Sequence, residues 1–377
     1  MPINKTDSYS INYEPLPHGA SGTEISFFSG TPDLVSLFES KTENRRLFVT
    51  DTNIASLDCM EQFVKQFGIQ DTRVSGTGKC GNNVLIIINY GEENKTIETV
   101  RSIVKAALDA AFTRKDIFTG IGGGVVCDMT AFAASIYKRG ARAEFVPTTL
   151  LAMVDAAVGG KTGCDFDDYK NMIGSFFPVE NLYVFPAFVN YQSHDQFRSG
   201  FGEAVKTALL FNRQLFEDIS RNRDKISARD PEFIYKMIRL CVEAKAKIVE
   251  EDLMEKNRRM LLNLGHTFGH ALETCAGLGK INHGDAVVWG MARALELSRN
   301  LGLCSESYVA EVFSLFSFFG WETGPESKVF KGPGKLLEAM RRDKKNSSNE
   351  IRVILQKGLE DSVITEVTDA EILKVLE

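Results

Sequence analysis

The sequence predicts an α/β N-terminal domain with a mostly parallel sheet, of the kind that binds dinucleotides, followed by a mainly α-helical C-terminal domain. Short β-rich runs alternate with helical patterns through the first half, which is typical of parallel strands joined by helices. After about residue 190 the pattern becomes almost wholly helical, and a length of 377 residues suggests roughly two domains. We therefore expect one domain at 1–190 and a second at 191–377.

The individual elements follow from local patterns. Short runs rich in β-branched, leucine and aromatic residues predict strands at 47–50, 84–88, 116–120, 144–146 and 182–185. Apolar residues at three- and four-residue spacing predict helices at 196–211, 231–251, 258–276, 285–301 and 305–319. A last strand at 351–355 follows a loop that carries Asp343, Lys344 and Lys345.

Charge and composition exclude several classes of function. The formal net charge of −6 and the pI near 5.6 provide no general basic field for nucleic acid or an anionic membrane. The N-terminal segment lacks the apolar core of a secretory signal, and no apolar run approaches the roughly 18 residues of a membrane span. Seven scattered cysteines without CxxC spacing predict reduced thiols. We expect a cytoplasmic protein that would bind metal through histidine and carboxylate.

A glycine run, TGIGGGVVCD at 119–128, follows an apolar strand and opens a helical pattern. Bare backbone amides at a helix N-terminus receive phosphate groups well. However, Val125 stands where the regular dinucleotide fingerprint has its third glycine, so a tight structural turn explains the run equally well. Asp51 and Asn53 after a strand, and the acid and cation of GEENK at 91–95, support a nucleotide, although solvated loops would explain them too.

A second phosphate-type motif is GGKT at 159–162. It resembles the end of a P-loop, but that motif requires glycine at position 155, where this chain has Asp155. We therefore set aside a nucleotide triphosphatase and keep Lys161 as a candidate phosphate ligand.

The segment NLGHTFGHALET at 263–274 indicates a metal site. His266 and His270 share one face of a helix, and imidazole is the commonest zinc ligand; the alternative is a helix with two polar residues. Upstream, Glu203 and Lys206 lie three residues apart, a spacing that usually means an exposed ion pair. With His283, however, Glu203 and His266 would supply three ligands and leave open positions, as in catalytic zinc sites. No glutamate follows His266, which argues against an HExxH metalloprotease.

The motifs, in their order along the chain, resemble those of the 3-dehydroquinate synthase family in the sugar-phosphate cyclase superfamily. The matching segments are GGGVVCD (122–128), YKRGARAEFVPTTLLAMVDAAVGGKTG (137–163), KNMIGSF (170–176), GFGEAVK (200–206), NLGHTFGHALE (263–273), HGDAVVWGM (283–291) and DKKN (343–346). The resemblance implies an NAD-binding α/β domain and a helical metal-binding domain. It also implies a homodimer that acts in the shikimate pathway of aromatic amino acid biosynthesis.

The implied reaction converts 3-deoxy-D-arabino-heptulosonate 7-phosphate into 3-dehydroquinate and phosphate. Transient oxidation by NAD would be followed by β-elimination of phosphate, reduction by the same NADH and aldol cyclisation, without net redox change. Zinc and cobalt suit the metal site equally.

The resemblance also assigns the site residues. It implies metal ligands at Glu203, His266 and His283, and it turns His270 towards the substrate. The implied cofactor residues are Asp51, Asn53, Glu92, Lys95, Gly123, Gly124, Asp128, Thr148, Thr149, Lys161 and Lys170. The implied substrate and catalytic residues are Asp155, Lys161, Lys170, Asn171, Lys206, Lys245, Arg259, Asn263, His270, one lysine of the DKK loop (Lys344 or Lys345) and Arg139, which would reach across a dimer interface.

Two departures from the family pattern bear on substrate preference. CDFDD at 164–168 replaces the usual Asn-His-Pro-rich segment, and the familiar LP dipeptide is missing after Phe177. The alternatives are a cyclase that uses sedoheptulose 7-phosphate or glucose 6-phosphate, a metal-dependent polyol dehydrogenase, and a silent NAD-binding module. Lys245 and Arg259 would pair with a carboxylate, which those other sugars lack, and so they favour the heptulosonate phosphate.

Overall fold

A computed structural model describes residues 4–14, 19–41, 43–167, 169–277, 279–343 and 351–377. The chain forms two compact units. One contains Met1–Ser193 with Pro231–Met254, and the other contains His194–Asp230 with Glu255–Glu377. None of the described helices is long and apolar enough to cross a membrane.

The first unit is built on a mostly parallel sheet of eight strands, as predicted. The strands of the described chain are β1 (Asn4–Asn12), β2 (Gly22–Ser29), β3 (Arg46–Asp51), β4 (Gly76–Cys80), β5 (Asn83–Ile88), β6 (Ile117–Gly122), β7 (Arg142–Pro147), β8 (Lys161–Phe166), β9 (Tyr169–Phe176), β10 (Asn181–Val184), β11 (Ile351–Gly358) and β12 (Asp361–Val367). The order in the large sheet is β1-β2-β10-β7-β6-β3-β5-β4, with antiparallel pairs only at its two edges.

The central strands form where short apolar runs suit burial on both faces of the sheet. β3 and β6 are buried at every position, and β5 at all but its first, which is the pattern of parallel strands covered by helices. The predicted strands omit β1, β2, β4 and β12 and the hairpin of β8 and β9. These strands carry polar and glycine residues, and their pairing depends on neighbours distant in sequence.

The second unit is mainly helical, also as predicted. The helices of the described chain are α1 (Leu34–Glu39), α2 (Thr52–Ala55), α3 (Glu61–Lys65), α4 (Ile97–Asp109), α5 (Gly124–Ile136), α6 (His194–Phe211), α7 (Arg213–Arg221), α8 (Arg223–Ser227), α9 (Pro231–Glu251), α10 (His266–Ala276), α11 (His283–Asn300), α12 (Glu306–Phe318), α13 (Pro333–Asp343) and α14 (Asp369–Leu376). Helix α9 belongs to the first unit by its contacts.

One predicted helix, 258–276, is divided in the structure. A short 3-10 helix covers Arg258–Asn263, and α10 begins only at His266. Between them Gly265 has φ +80°, a left-handed conformation that ends one helix and re-aims the next. A β-carbon on Gly265 would also lie 2.5 Å from the carbonyl oxygen of Val287. Both the backbone conformation and this close approach therefore require glycine.

A buried ion pair joins four neighbouring strands of the large sheet. Glu144 is fully buried, and its Oε1 accepts hydrogen bonds from Arg46 Nε at 2.7 Å and Thr119 Oγ1 at 2.8 Å. Its Oε2 accepts from the Tyr183 hydroxyl at 3.2 Å. Breaking such a pair from one side leaves the other charge buried without its partner.

We therefore expect Glu144→Ala to lower the free energy of unfolding by about 3 kcal/mol, because the Arg46 guanidinium stays inside the sheet. Glu180→Ala is the matched control: Glu180, just before β10, pairs with Arg142 of β7, but both side chains are about one-third exposed. Its loss should be at most about 1 kcal/mol. Urea denaturation of the three proteins measures the difference, and equal losses would contradict the buried network.

Candidate active site

Four neighbouring parallel strands of the first unit bring the predicted cofactor residues to one edge of the sheet. The residues after β3, β5, β6 and β7 all lie at the carboxyl ends of those strands. Strand β6 lies on the opposite side of β3 from β5, so the chain reverses its direction of winding between β3 and β6. Ligands of open α/β sheets bind at such a reversal. The residues placed at this edge are Asp51, Asn53, Glu92, Lys95, Gly123, Gly124, Asp128, Thr148 and Thr149.

The glycine run forms an open helix N-terminus at this edge. Helix α5 begins at Gly124, and its N-cap, Gly123, makes no side-chain capping bond. A β-carbon at Gly123 would lie 3.1 Å from the Thr149 side chain, and one at Gly124 would lie 3.2 Å from Ala156. The hydroxyl of Thr148 is buried without a hydrogen-bond partner in the described part of the chain. Uncapped amides and an unsatisfied hydroxyl fit a bound pyrophosphate cofactor.

One of the predicted cofactor residues already caps a helix. Asp51 is buried and caps α2, where its Oδ1 accepts from the Ile54 amide at 2.8 Å. Burial raises the pKa of Asp51. Asn53 and Glu92 are exposed.

A buried lysine connects the cofactor edge to the β8–β9 hairpin. Lys95 Nζ donates to Asp128 Oδ2 at 2.6 Å and to Asn171 Oδ1 at 2.5 Å. Burial alone would lower the pKa of Lys95, but the charges of Asp128 and Glu92 outweigh it and raise the pKa. The ammonium therefore stays charged. It links Asp128, a predicted cofactor residue, to Asn171, a predicted substrate residue.

A second lysine of the first unit contacts a predicted substrate residue. Lys245 of α9 is 5% exposed, and its Nζ lies 2.7 Å from Asp155 Oδ1 and 2.5 Å from Asp155 O. Asp155 belongs to a single π-helical turn, Ala152–Ala156, a distortion that is frequent at functional sites.

The other predicted residues of this unit are exposed. Lys161 and Lys170 lie on β8 and β9, and Arg139 follows α5 with φ +65°. Lys344 and Lys345 lie outside the described residues.

In the second unit, Glu203, His266 and His283 form a compact cluster at the meeting point of three helices. One ligand atom from each residue lies within 4.8 Å of the others. Nε2 of His266 is 3.8 Å from Glu203 Oε1, and Nε2 of His283 is 3.6 Å from the same oxygen. Glu203 is fully buried, and this oxygen accepts no hydrogen bond in the described part of the chain. A buried carboxylate oxygen faced by two imidazole nitrogens fits a divalent cation such as zinc.

Both imidazoles of the cluster are oriented by their other nitrogen. His266 Nδ1 lies 3.2 Å from the carbonyl oxygen of Leu264, and His283 Nδ1 lies 3.4 Å from Glu273 Oε2. Because these oxygens only accept, each Nδ1 is the donor, and each Nε2 remains available to a metal. Burial lowers the pKa of His283, but the carboxylates of Glu203 and Glu273 prevail and raise the pKa to about 10, so a metal ion would displace the Nε2 proton when it binds.

Glycines allow the three helices to approach closely enough to form the cluster. A β-carbon on Gly202 of α6 would lie 2.9 Å from Gly284 O, and one on Gly269 of α10 would lie 2.9 Å from Ala286 O. A β-carbon on Gly290 of α11 would overlap the carbonyl oxygen of Gly265. Backbone contact therefore sets the spacing of the helices that carry the three candidate ligands.

Two predicted substrate residues of the second unit, Lys206 and His270, lie against this cluster, and a third, Arg259, is buried. Lys206 is buried and its ammonium contacts Glu203 Oε2. The His270 ring centroid is 5.2 Å from that of His266 and 6.0 Å from that of His283. Arg259 is 1% exposed.

Two carboxylates of this unit, Glu255 and Glu273, were not among the predicted site residues. Glu255 Oε1 accepts from Asn263 Nδ2 at 2.9 Å, and Glu273 accepts from His283. Glu273 had a detectable signal, because it lies three residues after His270 on the same helix face. Glu255 comes from an irregular loop, where no periodic pattern identifies a contact.

Solved structures with this fold include two synthases. The 2-epi-5-epi-valiolone synthase of Streptomyces hygroscopicus, with NAD+ and Zn2+ bound, is 25% identical, with a TM-score of 0.82 over 97% of this chain and 98% of that chain. A 2-deoxy-scyllo-inosose synthase is 21% identical, with a TM-score of 0.80 over 98% of this chain and 99% of the other, and shows the fold alone. Fold and site together define a member of the sugar-phosphate cyclase superfamily.

Sequence comparison narrows this class. Residues 85–199 match the family described as 3-dehydroquinate synthase N-terminal, and residues 200–346 match 3-dehydroquinate synthase C-terminal. The 3-dehydroquinate synthase of Acidithiobacillus ferrooxidans is 38% identical over 87% of this chain and 87% of its own length. The chain belongs to the 3-dehydroquinate synthase family. Its activity is that of a 3-dehydroquinate synthase, a carbon–oxygen lyase acting on phosphates.

Proposed function

We propose that the chain performs this reaction on 3-deoxy-D-arabino-heptulosonate 7-phosphate with NAD and one zinc or cobalt ion bound. The observation that carries the proposal is the cluster of Glu203, His266 and His283, whose ligand atoms already face one another. Along the chain, we propose 1–190 as the NAD-binding domain and 191–377 as the metal and substrate domain. We also propose a homodimer in which Arg139, exposed after α5, serves the neighbouring subunit.

We assign the cofactor to the carboxyl edge of the sheet in the first unit. The open N-terminus of α5 at Gly123 and Gly124 would receive the pyrophosphate, and the Thr148 hydroxyl would gain the hydrogen bond that it lacks among the described residues. Lys95 and Asp128 would line the same edge as a charged pair. Asp51, Asn53, Glu92, Thr149, Lys161 and Lys170 complete the proposed cofactor set.

When bound, the nucleotide would exchange a hydride with the substrate, and the metal would polarise the substrate hydroxyl. The chain's own residues orient those groups. Leu264 O and Glu273 hold the two histidines in the tautomer that presents Nε2. Lys206 lies against Glu203 and balances the charge of that buried carboxylate.

We assign Lys245 and Arg259, both of them buried cations, to the substrate carboxylate. Lys161, Asn171, Asn263, His270 and Arg139 are assigned to the phosphate. Asp155 accepts from Lys245 and fixes the position of that ammonium.

A coupled assay tests the proposed function. Purified protein with NAD, zinc and the heptulosonate phosphate should release one phosphate per 3-dehydroquinate formed, and NADH should not accumulate because the cofactor is regenerated in each cycle. Sedoheptulose 7-phosphate, which has no carboxylate, is the comparison substrate and should react at least about a hundredfold more slowly. Preference for that sugar would contradict the proposed substrate and favour the alternative cyclase. Sustained NADH formation would favour a polyol dehydrogenase.

A further inference from the structure

The turn of the β8–β9 hairpin, where the sequence departs from its family, contacts a proposed substrate residue. Asp165 lies near the end of β8, and its Oδ1 accepts a hydrogen bond from the backbone amide of Asn171 at 2.7 Å. The amide of Asp165 itself donates to the carbonyl oxygen of Lys95 at 2.8 Å. The backbone of Asp165 therefore binds the hairpin to the loop of Lys95. Its carboxylate holds the backbone of Asn171, from which the Asn171 side chain extends.

Asn171 needs such a contact because its backbone is unusual. Its φ is +52°, in the left-handed region that residues with a β-carbon rarely occupy, although asparagine tolerates it better than most. A residue keeps this conformation only where its surroundings hold it. The Asp165 carboxylate is the group that meets the Asn171 amide.

The side-chain amide of Asn171 is oriented from its other end. Lys95 Nζ lies 2.5 Å from Asn171 Oδ1, and an ammonium only donates. The oxygen of the amide is thus engaged, and its NH2 group is the end that can donate to a phosphate oxygen. Asp128, 2.6 Å from the same ammonium, keeps Lys95 in place.

We propose that Asp165 is a positioning residue for the substrate phosphate. Its carboxylate holds the backbone of Asn171 in the left-handed conformation. In that conformation Lys95 binds the side-chain oxygen of Asn171, so that the side-chain NH2 group donates to the phosphate. The proposal rests on the proposed function, because it assumes that Asn171 binds phosphate.

Two substitutions at one position separate the hydrogen bond from the charge. Asp165→Ala removes the acceptor, whereas Asp165→Asn keeps an oxygen there and removes only the charge. We expect Asp165→Ala to lower kcat/KM for the heptulosonate phosphate by about tenfold, mainly through KM, and Asp165→Asn to stay within about threefold of wild type. Asp167→Asn is the matched control: Asp167 is exposed in the same turn with φ +50°, which asparagine tolerates, and the same charge is lost. Its kcat/KM should stay within about twofold of wild type.

A readout independent of turnover keeps this test separate from the proposed function. In the full-length protein, amide hydrogen exchange of the 169–176 segment should be about tenfold faster in Asp165→Ala and unchanged in Asp165→Asn and Asp167→Asn. Unchanged exchange in Asp165→Ala would overturn the positioning role whatever the activity. If the wild-type protein released no phosphate, the proposed function would be overturned. The exchange measurement would then still test whether Asp165 holds the 169–176 segment.

A double-mutant cycle decides whether Asp165 acts through Asn171. Asn171→Gly deletes the amide while suiting the positive φ. If Asp165 works by placing that amide, Asp165→Ala should change kcat/KM by less than about twofold in the Asn171→Gly background. A full tenfold loss in that background would show that Asp165 acts by another route and would overturn the proposal.

Discussion

Replacing His283 with alanine should remove bound metal and activity together. The substitution deletes one of three nitrogen and oxygen donors that lie within 4.8 Å of one another, and it leaves Glu203 and Glu273 without their shared imidazole. We expect kcat to fall by at least about a thousandfold, and the metal content after dialysis to fall below about one-tenth of an ion per chain. Metal analysis and phosphate release on the same sample measure both.

His194→Ala is the matched control for this substitution. His194 begins α6 in the same unit, and its side chain is 82% exposed. Metal content and kcat should remain those of the wild type. A His283→Ala protein with wild-type metal content would refute the ligand assignment, whereas loss of the folded state, seen by circular dichroism, would require the comparison to be repeated with His283→Gln.

Gly290→Ala should disrupt the metal site from two helical turns away. The new methyl group would overlap the carbonyl oxygen of Gly265 and lie 2.9 Å from the amide nitrogen of Gly269, both of them backbone atoms. Helices α10 and α11 must separate to accommodate it, and His266 and His283 move apart with them. We expect the free energy of unfolding to fall by about 4 kcal/mol and the zinc affinity to fall by at least about a hundredfold.

Gly334→Ala provides the control for introducing a methyl group. Gly334 lies in the first turn of α13 in the same unit, and a β-carbon there meets nothing within 4 Å. Alanine should leave zinc affinity unchanged and raise stability slightly, by up to about 1 kcal/mol, because glycine is a poor helix former. Urea denaturation and zinc titration against a chelator measure both variants. Equal behaviour of the two would contradict the role assigned to the close helix packing.

The parts that the sequence predicted are those with strong local signals. The buried strands β3, β5, β6, β7 and β10 are short apolar runs, and α9 follows a clear three-to-four residue repeat, so both were predicted near their observed bounds. Motif order identified the family. Helix spacing alone paired His266 with His270. Residue chemistry added Glu203 and His283 as ligands, and motif resemblance then turned His270 towards the substrate.

The parts that the sequence did not predict depend on contacts between distant segments. The break at Gly265 arises because α11 passes so close that no β-carbon fits. The hairpin of β8 and β9 pairs polar residues whose alternation is too weak to identify strands. The contact of Asp165 with the Asn171 amide arises from a positive φ that only the folded chain reveals.

The backbone contacts among α6, α10 and α11 also determine what happens when the metal is removed. In small zinc-dependent domains the ion is the core, and chelation unfolds the chain. Here glycine-to-carbonyl packing sets the helix spacing, while Leu264 and Glu273 fix the imidazole rings. The positions of the three candidate ligands are therefore set by contacts within the protein, and we expect the chain to stay folded when a bound metal is removed by a chelator.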